Sequence, residues 1–334
     1  MKKVIKNLFV ALSVGALVLG STACGSKKST ETDSKKLTLV LDWTPNTNHT
    51  GFYVAMEKGY YKDAGIELEI VQPPEDGAEV LVASGKANFG VSFQDTMAGA
   101  LSGDNALPIK AVAAITQHNT SGIMSRKGDG ITSPKGLEGK NYATWDMPIE
   151  KAMLKNVVEK DGGDFSKVNL IPSTVTDEVS ALSSKQVDAI WVYYGWAGIA
   201  ANVKGFEFDY FAFKDINPTF DYYTPVIFTN DDMIKNDKDT VKSFLEATKK
   251  GYEFAAGNPK ESAEILLKYA PEIDKNLAMA SQEYLSAQYI DEGTPWGYID
   301  ADRWGEFYKW LNENNLLENP IDEGAGLDNE FITK

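Results

Sequence analysis

Aromatic side chains stand where apolar runs end in this chain, each close to a polar group, and that pairing suits the capture of a flat ring. Trp43 closes the run LTLVLDW, with Asn46 and His49 shortly after it. An indole face stacks on a planar heterocycle, and a carboxamide both donates and accepts hydrogen bonds. The same residues have plainer uses: Trp43 as a core plug, Asn46 as a turn before a helix, His49 as a cap on the helix that begins near Gly51. Gln94 and Asp95 close a second run, and Asp95 before Thr96 fits a helix N-cap. Trp145 and Asp146 close a third. In WVYYGWAGI, residues 191–199, strand alternation sets Trp191 and Tyr193 on one face and Val192 and Tyr194 on the other. Tyr193, Tyr194 and Trp196 are the candidates there. Gln117 and His118 end another strand, while Tyr222 and Tyr223 stand at a return crossing, suited to hinge packing or to ligand contact.

The groups that break bonds or hold metals are scarce. No Gly-x-Ser-x-Gly elbow, His-Glu-x-x-His pair or glycine-rich phosphate loop occurs. Two His and one Cys cannot furnish a His/Cys zinc cage, and one Cys forms no internal disulfide. No metal, cofactor or catalytic residue is therefore expected. A formal net charge of −15 repels phosphate backbones, which excludes nucleic acid as a partner. With 334 residues, 43% of them apolar and 11% aromatic, the chain folds, and it is long enough for two lobes.

Candidate binders must be carried by strands that end at a common edge. The segments 37–43 and 66–72 read as strands around a helical stretch rich in Phe52, Ala55, Met56 and Tyr60. Helix 78–83, strand 87–92, helix 96–101 and strand 109–116 continue an α/β series. The loop 126–140, dense in Gly, Pro and Lys, reads as a crossing into another lobe. A second series follows: strand 140–145, helix 149–159, strand 168–172, helix 176–184, and strands 187–193 and 206–213. From 231 to 315 the pattern is helical, over 239–256, 259–269, 275–286 and 300–314, with Pro259 in a first turn.

The N-terminal segment is an address. Lys2, Lys3 and Lys6 precede an apolar run from Leu8 to Leu19, and small residues then lead to Cys24. Cys24 is either the acylated residue of a lipoprotein or a small residue of a simple secretory signal. The segment resembles a bacterial lipoprotein signal, although Ser21 stands where Leu is usual. That resemblance implies removal of 1–23, a lipid on Cys24 and a flexible tether over 24–36. Beyond residue 36 no apolar stretch is long enough to span a bilayer.

The run LDWTPNTNHTG, with Asp42, Trp43, Pro45, Asn46, His49 and Gly51, resembles the start of solute-binding proteins that serve ABC importers of thiamin-pyrimidine precursors. These sit within a wider group that also binds nitrate, sulfonates and taurine. The segment VLVASGKANFG is similar to a second family pattern, with Asn88 where Asp is usual, and Asp188 sits where that theme repeats. The resemblance implies a two-lobe α/β fold like the type II periplasmic binding proteins, with a mostly helical C-terminal part. Lobe one would take 37–126 plus 226–334, and lobe two 127–225. It further implies a monomer, lipid-anchored outside the cell membrane, that binds a small planar heterocycle and docks on an ABC permease with its ATPase. Trp43, Asn46, His49, Gln94, Trp145, Tyr193, Tyr194, Trp196 and Tyr223 are the expected ligand contacts. Relatives carry a Glu after the aromatic pair of lobe two, where this chain has Ala197. Riboflavin or a sulfonate or nitrate type of solute therefore stays in view as the ligand. Eukaryotic relatives of the fold make the pyrimidine with a Cys-rich motif that this chain, whose only Cys is Cys24, lacks.

Overall fold

The computed structural model describes residues 34–75, 77–173 and 175–332. The expected signal segment 1–23, Cys24 and the tether up to residue 33 lie outside the described residues. The tether expectation overshoots at its far end, because Lys35 and Lys36 already pair with Ile66 and Glu67.

Along the chain come β1 (Lys35–Val40), α1 (Thr50–Glu57), the short α2 (Tyr60–Asp63), β2 (Ile66–Val71), α3 (Gly77–Ala83), β3 (Phe89–Ser92), α4 (Gln94–Ser102) and β4 (Ile109–Ala114). Next are β5 (Ser121–Arg126), β6 (Asn141–Thr144), α5 (Pro148–Lys160), β7 (Asn169–Pro172), α6 (Glu178–Ser183), β8 (Ala189–Tyr193), α7 (Ile199–Val203), β9 (Phe208–Ala212) and α8 (Phe213–Ile216). The last part holds β10 (Val226–Asn230), α9 (Asp231–Asn236), α10 (Lys238–Gly257), α11 (Pro259–Tyr269), α12 (Lys275–Ser286) and α13 (Ala301–Glu313).

Two five-stranded sheets result, in the orders β2-β1-β3-β10-β4 and β7-β6-β8-β5-β9. In each, one strand runs against its neighbours: β10 is antiparallel to β3 and β4, and β5 to β8 and β9. The other strands of a sheet therefore end at one shared carboxyl edge. Alternation explains β2, where Ile66 and Leu68 are buried and Glu67 and Glu69 face water.

Chain crossing fixes how the edges meet. The segment 115–120 leaves the carboxyl end of β4 and enters β5, and 217–225 returns from beyond α8 into β10. Both crossings join one carboxyl edge to the other. This corrects the expected boundary: β5 pairs with β8 and β9 in the second sheet, so 126–140 is a connection within that sheet. Gly and Pro mark a loop, but no local signal says which sheet the preceding strand joins.

Helix α13 welds the crossings. Its buried face, Trp304, Phe307, Tyr308 and Leu311, follows the spacing of one helical stripe. Phe307 stacks on Tyr222 at 4.2 Å, and Trp310 meets Phe220 edge-on at 4.8 Å. On the far side of the first sheet, α1 and α10 cross where Gly51 faces Gly251, over the buried rings of Phe52, Tyr252 and Trp296. Among the described residues no helix is long and apolar enough to cross a membrane.

Candidate ligand-binding site

The carboxyl edge of the first sheet presents Trp43 after β1 and Phe93 after β3. Trp43 is 53% exposed, unusual for so large an apolar ring. It is held out by the turn that follows. Asn46 Oδ1 accepts from Asn48 N–H at 2.9 Å, and its Nδ2 donates to Thr44 O at 3.0 Å. His49 Nδ1 accepts the Asn46 N–H at 3.2 Å, which leaves Nε2–H to donate to Asp42 Oδ1 at 2.6 Å. Asn46 and His49, expected as ligand contacts, are buried and spend these groups on the loop. They position Asp42 and Trp43.

The second sheet supplies a matching ring. Trp145, after β6, is 48% exposed and lies 5.7 Å from the buried Trp191. Its loop is built on Glu150, a buried carboxylate in the first turn of α5. Glu150 accepts from Tyr142 O–H at 2.8 Å, Thr144 O–H at 2.9 Å, Trp145 N–H at 3.0 Å and Met147 N–H at 3.4 Å. Burial raises its carboxyl above the usual range against the pull of those donors. Between the two exposed side chains Trp145 and Met147, Asp146 takes a left-handed backbone (φ 64°), and Thr144 Oγ1 accepts its N–H at 2.9 Å.

Tyr193, at the end of β8, bridges the two edges: its ring stacks on Phe93 at 5.9 Å. Tyr222, from the return crossing, points its O–H at Asp95 Oδ2, 3.4 Å away, and Tyr193 and Asp42 lie in the same cluster. Asp95 is pushed up to about 6, chiefly by burial, with Glu79 adding like charge. Glu79 in turn accepts a hydrogen bond from Ser92.

Other expected contacts serve the frame. Gln94 is wholly buried, donating to Trp304 O at 2.8 Å and accepting from Tyr223 N–H at 2.9 Å. Tyr223 accepts from Asp300 N–H at 2.7 Å, and the Arg303 guanidinium covers its ring at 3.9 Å. Tyr194 turns away from Tyr193, packing on Tyr210 and Tyr284 at 5.0 and 5.1 Å beside a separate cavity of about 500 Å³. Trp196 is half-buried in the turn after β8, and Ala197 is packed in an apolar cluster with Val192 and Ala201. Of the expected residues, Trp43, Trp145 and Tyr193 stand at the facing edges. Phe93, Met147 and Glu150 were not expected. Phe93 carries a sequence signal, an aromatic at the end of an apolar run, while Met147 carries none.

The crossings are tied by charge. Asp221 Oδ2 lies 2.6 Å from His118 Nδ1, and Asp221 Oδ1 accepts from Asn119 N–H at 2.8 Å. His118 Nε2 lies 3.0 Å from Asp291, and Arg303 reaches Asp221 at 3.3 Å and donates to Gln117 O at 2.6 Å. Asp221 accordingly holds the imidazole above its ordinary range. Gln117 and His118 thus belong to the joint between the sheets. Among the described residues no cluster of three or more His, Cys, Asp or Glu side chains is placed to hold a metal ion.

Residues 46–262 match the sequence pattern of the family described as NMT1/THI5 like. The chain belongs to that family. A similar curated relative is the formylaminopyrimidine-binding protein of Halalkalibacterium halodurans, 28% identical over 325 residues, covering 94% of this chain and 96% of the relative. A 4-amino-5-hydroxymethyl-2-methylpyrimidine phosphate synthase of Saccharomyces cerevisiae is 25% identical over 258 residues, covering 73% of this chain and 74% of that enzyme. Among solved structures, the periplasmic aliphatic sulphonate binding protein SsuA from Escherichia coli superposes with a TM-score of 0.68 at 13% identity, covering 87% of this chain and 97% of the other. This NMT1/THI5 like chain therefore has the periplasmic-binding-protein-like fold. Fold alone does not choose between capture and catalysis.

Proposed function

We propose that the protein is the extracytoplasmic solute-binding component of an ABC importer and that it captures a small aminopyrimidine, a thiamin-pyrimidine precursor, between two hinged lobes. The observation that carries this reading is the pair of half-exposed indoles, Trp43 and Trp145, at the carboxyl ends of β1 and β6, with Phe93 and Tyr193 between the edges. Open α/β sheets bind ligands outside the carboxyl ends of their strands. The curated relative that matches nearly end to end is named for binding formylaminopyrimidine, which supports the ligand class. The crossings at 115–120 and 217–225 supply the hinge, and closure is a population shift driven by contacts available only when both edges engage. A synthase role fits less well: Cys24 is the only Cys, so no Cys-rich motif exists to hold iron. The working form is a lipid-anchored monomer that delivers its ligand to a permease.

Titration calorimetry with 4-amino-5-hydroxymethyl-2-methylpyrimidine and its formylamino counterpart tests the reading. Wild type is expected to bind and to gain about 2.7 kcal/mol of stability at one hundred times Kd. Trp43→Ala is expected to weaken binding at least about tenfold, near 1.4 kcal/mol of lost ring contact. Equal affinity in that variant would remove the first sheet's edge from the site. Mass spectrometry of the recovered ligand should return it unchanged, whereas conversion would favour the enzyme. Separately, Cys24→Ser is expected to move the protein from the membrane fraction into the medium. Retention of that variant on membranes would refute lipidation.

A further inference from the structure

Asp95 sits in the first turn of α4, two residues after Phe93, so the element that carries an aromatic ring to the edge carries a carboxyl beside it. Its Oδ1 accepts from Thr96 N–H at 3.0 Å, and its Oδ2 meets the Tyr222 O–H at 3.4 Å. The groups that face it are Glu79 from α3, Tyr193 at the end of β8, Tyr222 from the crossing and Tyr308 from α13. All are acidic or phenolic, and among the described residues no Lys, Arg or His pairs with it. Such a carboxyl is half-buried and has no counter-ion among the described residues, so its charge is left without a neutralising partner.

We propose that Asp95 reads the amidine edge of the bound heterocycle, a ring nitrogen flanked by an exocyclic amine, through a two-point hydrogen bond. This rests on the reading above that the cluster holds an aminopyrimidine. A protonated carboxyl offers one O–H donor and one oxygen acceptor side by side, the complement of an N acceptor beside an N–H donor. An ionised carboxylate would satisfy the amine and repel the ring nitrogen's lone pair. Burial lifts Asp95 to about 6, so the proton is within reach near neutral pH. Above that pH one proton is taken from solvent for each neutral ligand bound, and it stays in the Asp95–ring hydrogen bond. Phe93 and Tyr193, stacked at 5.9 Å, stand beside the carboxyl where the ring face would be covered.

The test is calorimetry from pH 5 to 9 in two buffers of different ionisation enthalpy. The probes are 4-amino-5-hydroxymethyl-2-methylpyrimidine and the same molecule without its amino group. Wild-type affinity for the amino probe should fall above pH 6, by up to about tenfold per pH unit, with proton uptake read from the buffer dependence. Asp95→Ala should bind it at least about tenfold more weakly at pH 6 and lose the slope. Asp95→Asn, whose carboxamide also pairs one donor with one acceptor, should keep affinity within a few-fold while flattening the pH dependence. The probe without the amine keeps only the ring-nitrogen contact, so Asp95→Ala should weaken it by a smaller factor than it weakens the amino probe. An Asp95→Ala variant that binds the amino probe as wild type does, with the same slope, overturns the assignment and leaves the aminopyrimidine reading standing. A wild type that binds no aminopyrimidine at any pH overturns both.

Discussion

Gly251→Ala should destabilise the protein by about 3 kcal/mol, at the upper end of what overpacking a close-packed core costs. A methyl placed on Gly251 would lie 2.0 Å from the carbonyl oxygen of Gly51 and 2.9 Å from the Ala55 methyl. The first obstacle is backbone inside α1, so no rotamer change relieves it. The helices must separate, and that loosens the rings beneath, where Tyr252 stacks on Trp296 at 4.6 Å and meets Phe52 edge-on at 5.4 Å. Gly99, in the middle of α4 with nothing within 4 Å of an added methyl, is the control. Gly99→Ala should be neutral or stabilising by up to about 1 kcal/mol, since alanine is the better helix former. Urea unfolding of both variants checks the pair, and a Gly251→Ala midpoint equal to wild type would show that α1 and α10 do not touch backbone to backbone.

Glu150→Ala should cost about 3 kcal/mol and also weaken ligand binding, because one carboxylate serves both the core and the Trp145 loop. Its removal leaves the Tyr142 and Thr144 hydroxyls without their acceptor and frees the Trp145 and Met147 amides. The left-handed Asp146 then loses the hydrogen bonds that hold its neighbours in place. Glu150→Gln retains the shape and one acceptor oxygen without burying a charge, so it should recover most of the stability. Its amide cannot accept from all four donors, so ligand affinity should recover less. Thermal unfolding and calorimetry on the same samples separate the two effects. A Glu150→Ala variant with normal affinity would show that Trp145 keeps its place without the carboxylate.

Much of the fold was readable where the signals are local. The helices α11 and α12 span the residues expected from periodicity and from Pro259, and the strands fall within a few residues of their apolar runs. Sheet membership was not readable, because β5 carries the same local pattern whichever sheet it joins. At the candidate site, Trp43 and Trp145 were legible as aromatics at strand ends. Asn46, His49, Gln94 and Tyr223 have equally suitable chemistry, but turns and pins consume the same donors and acceptors that a ligand would. Tyr193 and Tyr194 are adjacent in sequence and part company because β8 ends at Tyr193 and a helical turn begins at Tyr194. Met147 and Glu150 gain their roles from a single loop conformation, which residue spacing does not encode.

Strand β10 lies between β3 and β4, although the chain makes it only after all of the second sheet. During synthesis, which delivers the chain amino end first, β3 and β4 have no bridge between them until residue 230 has emerged. The second sheet, continuous from 121 to 212, has every strand by then. The later half thus matures as an insert, and the earlier half stays open at its centre, waiting for a last piece threaded into its middle.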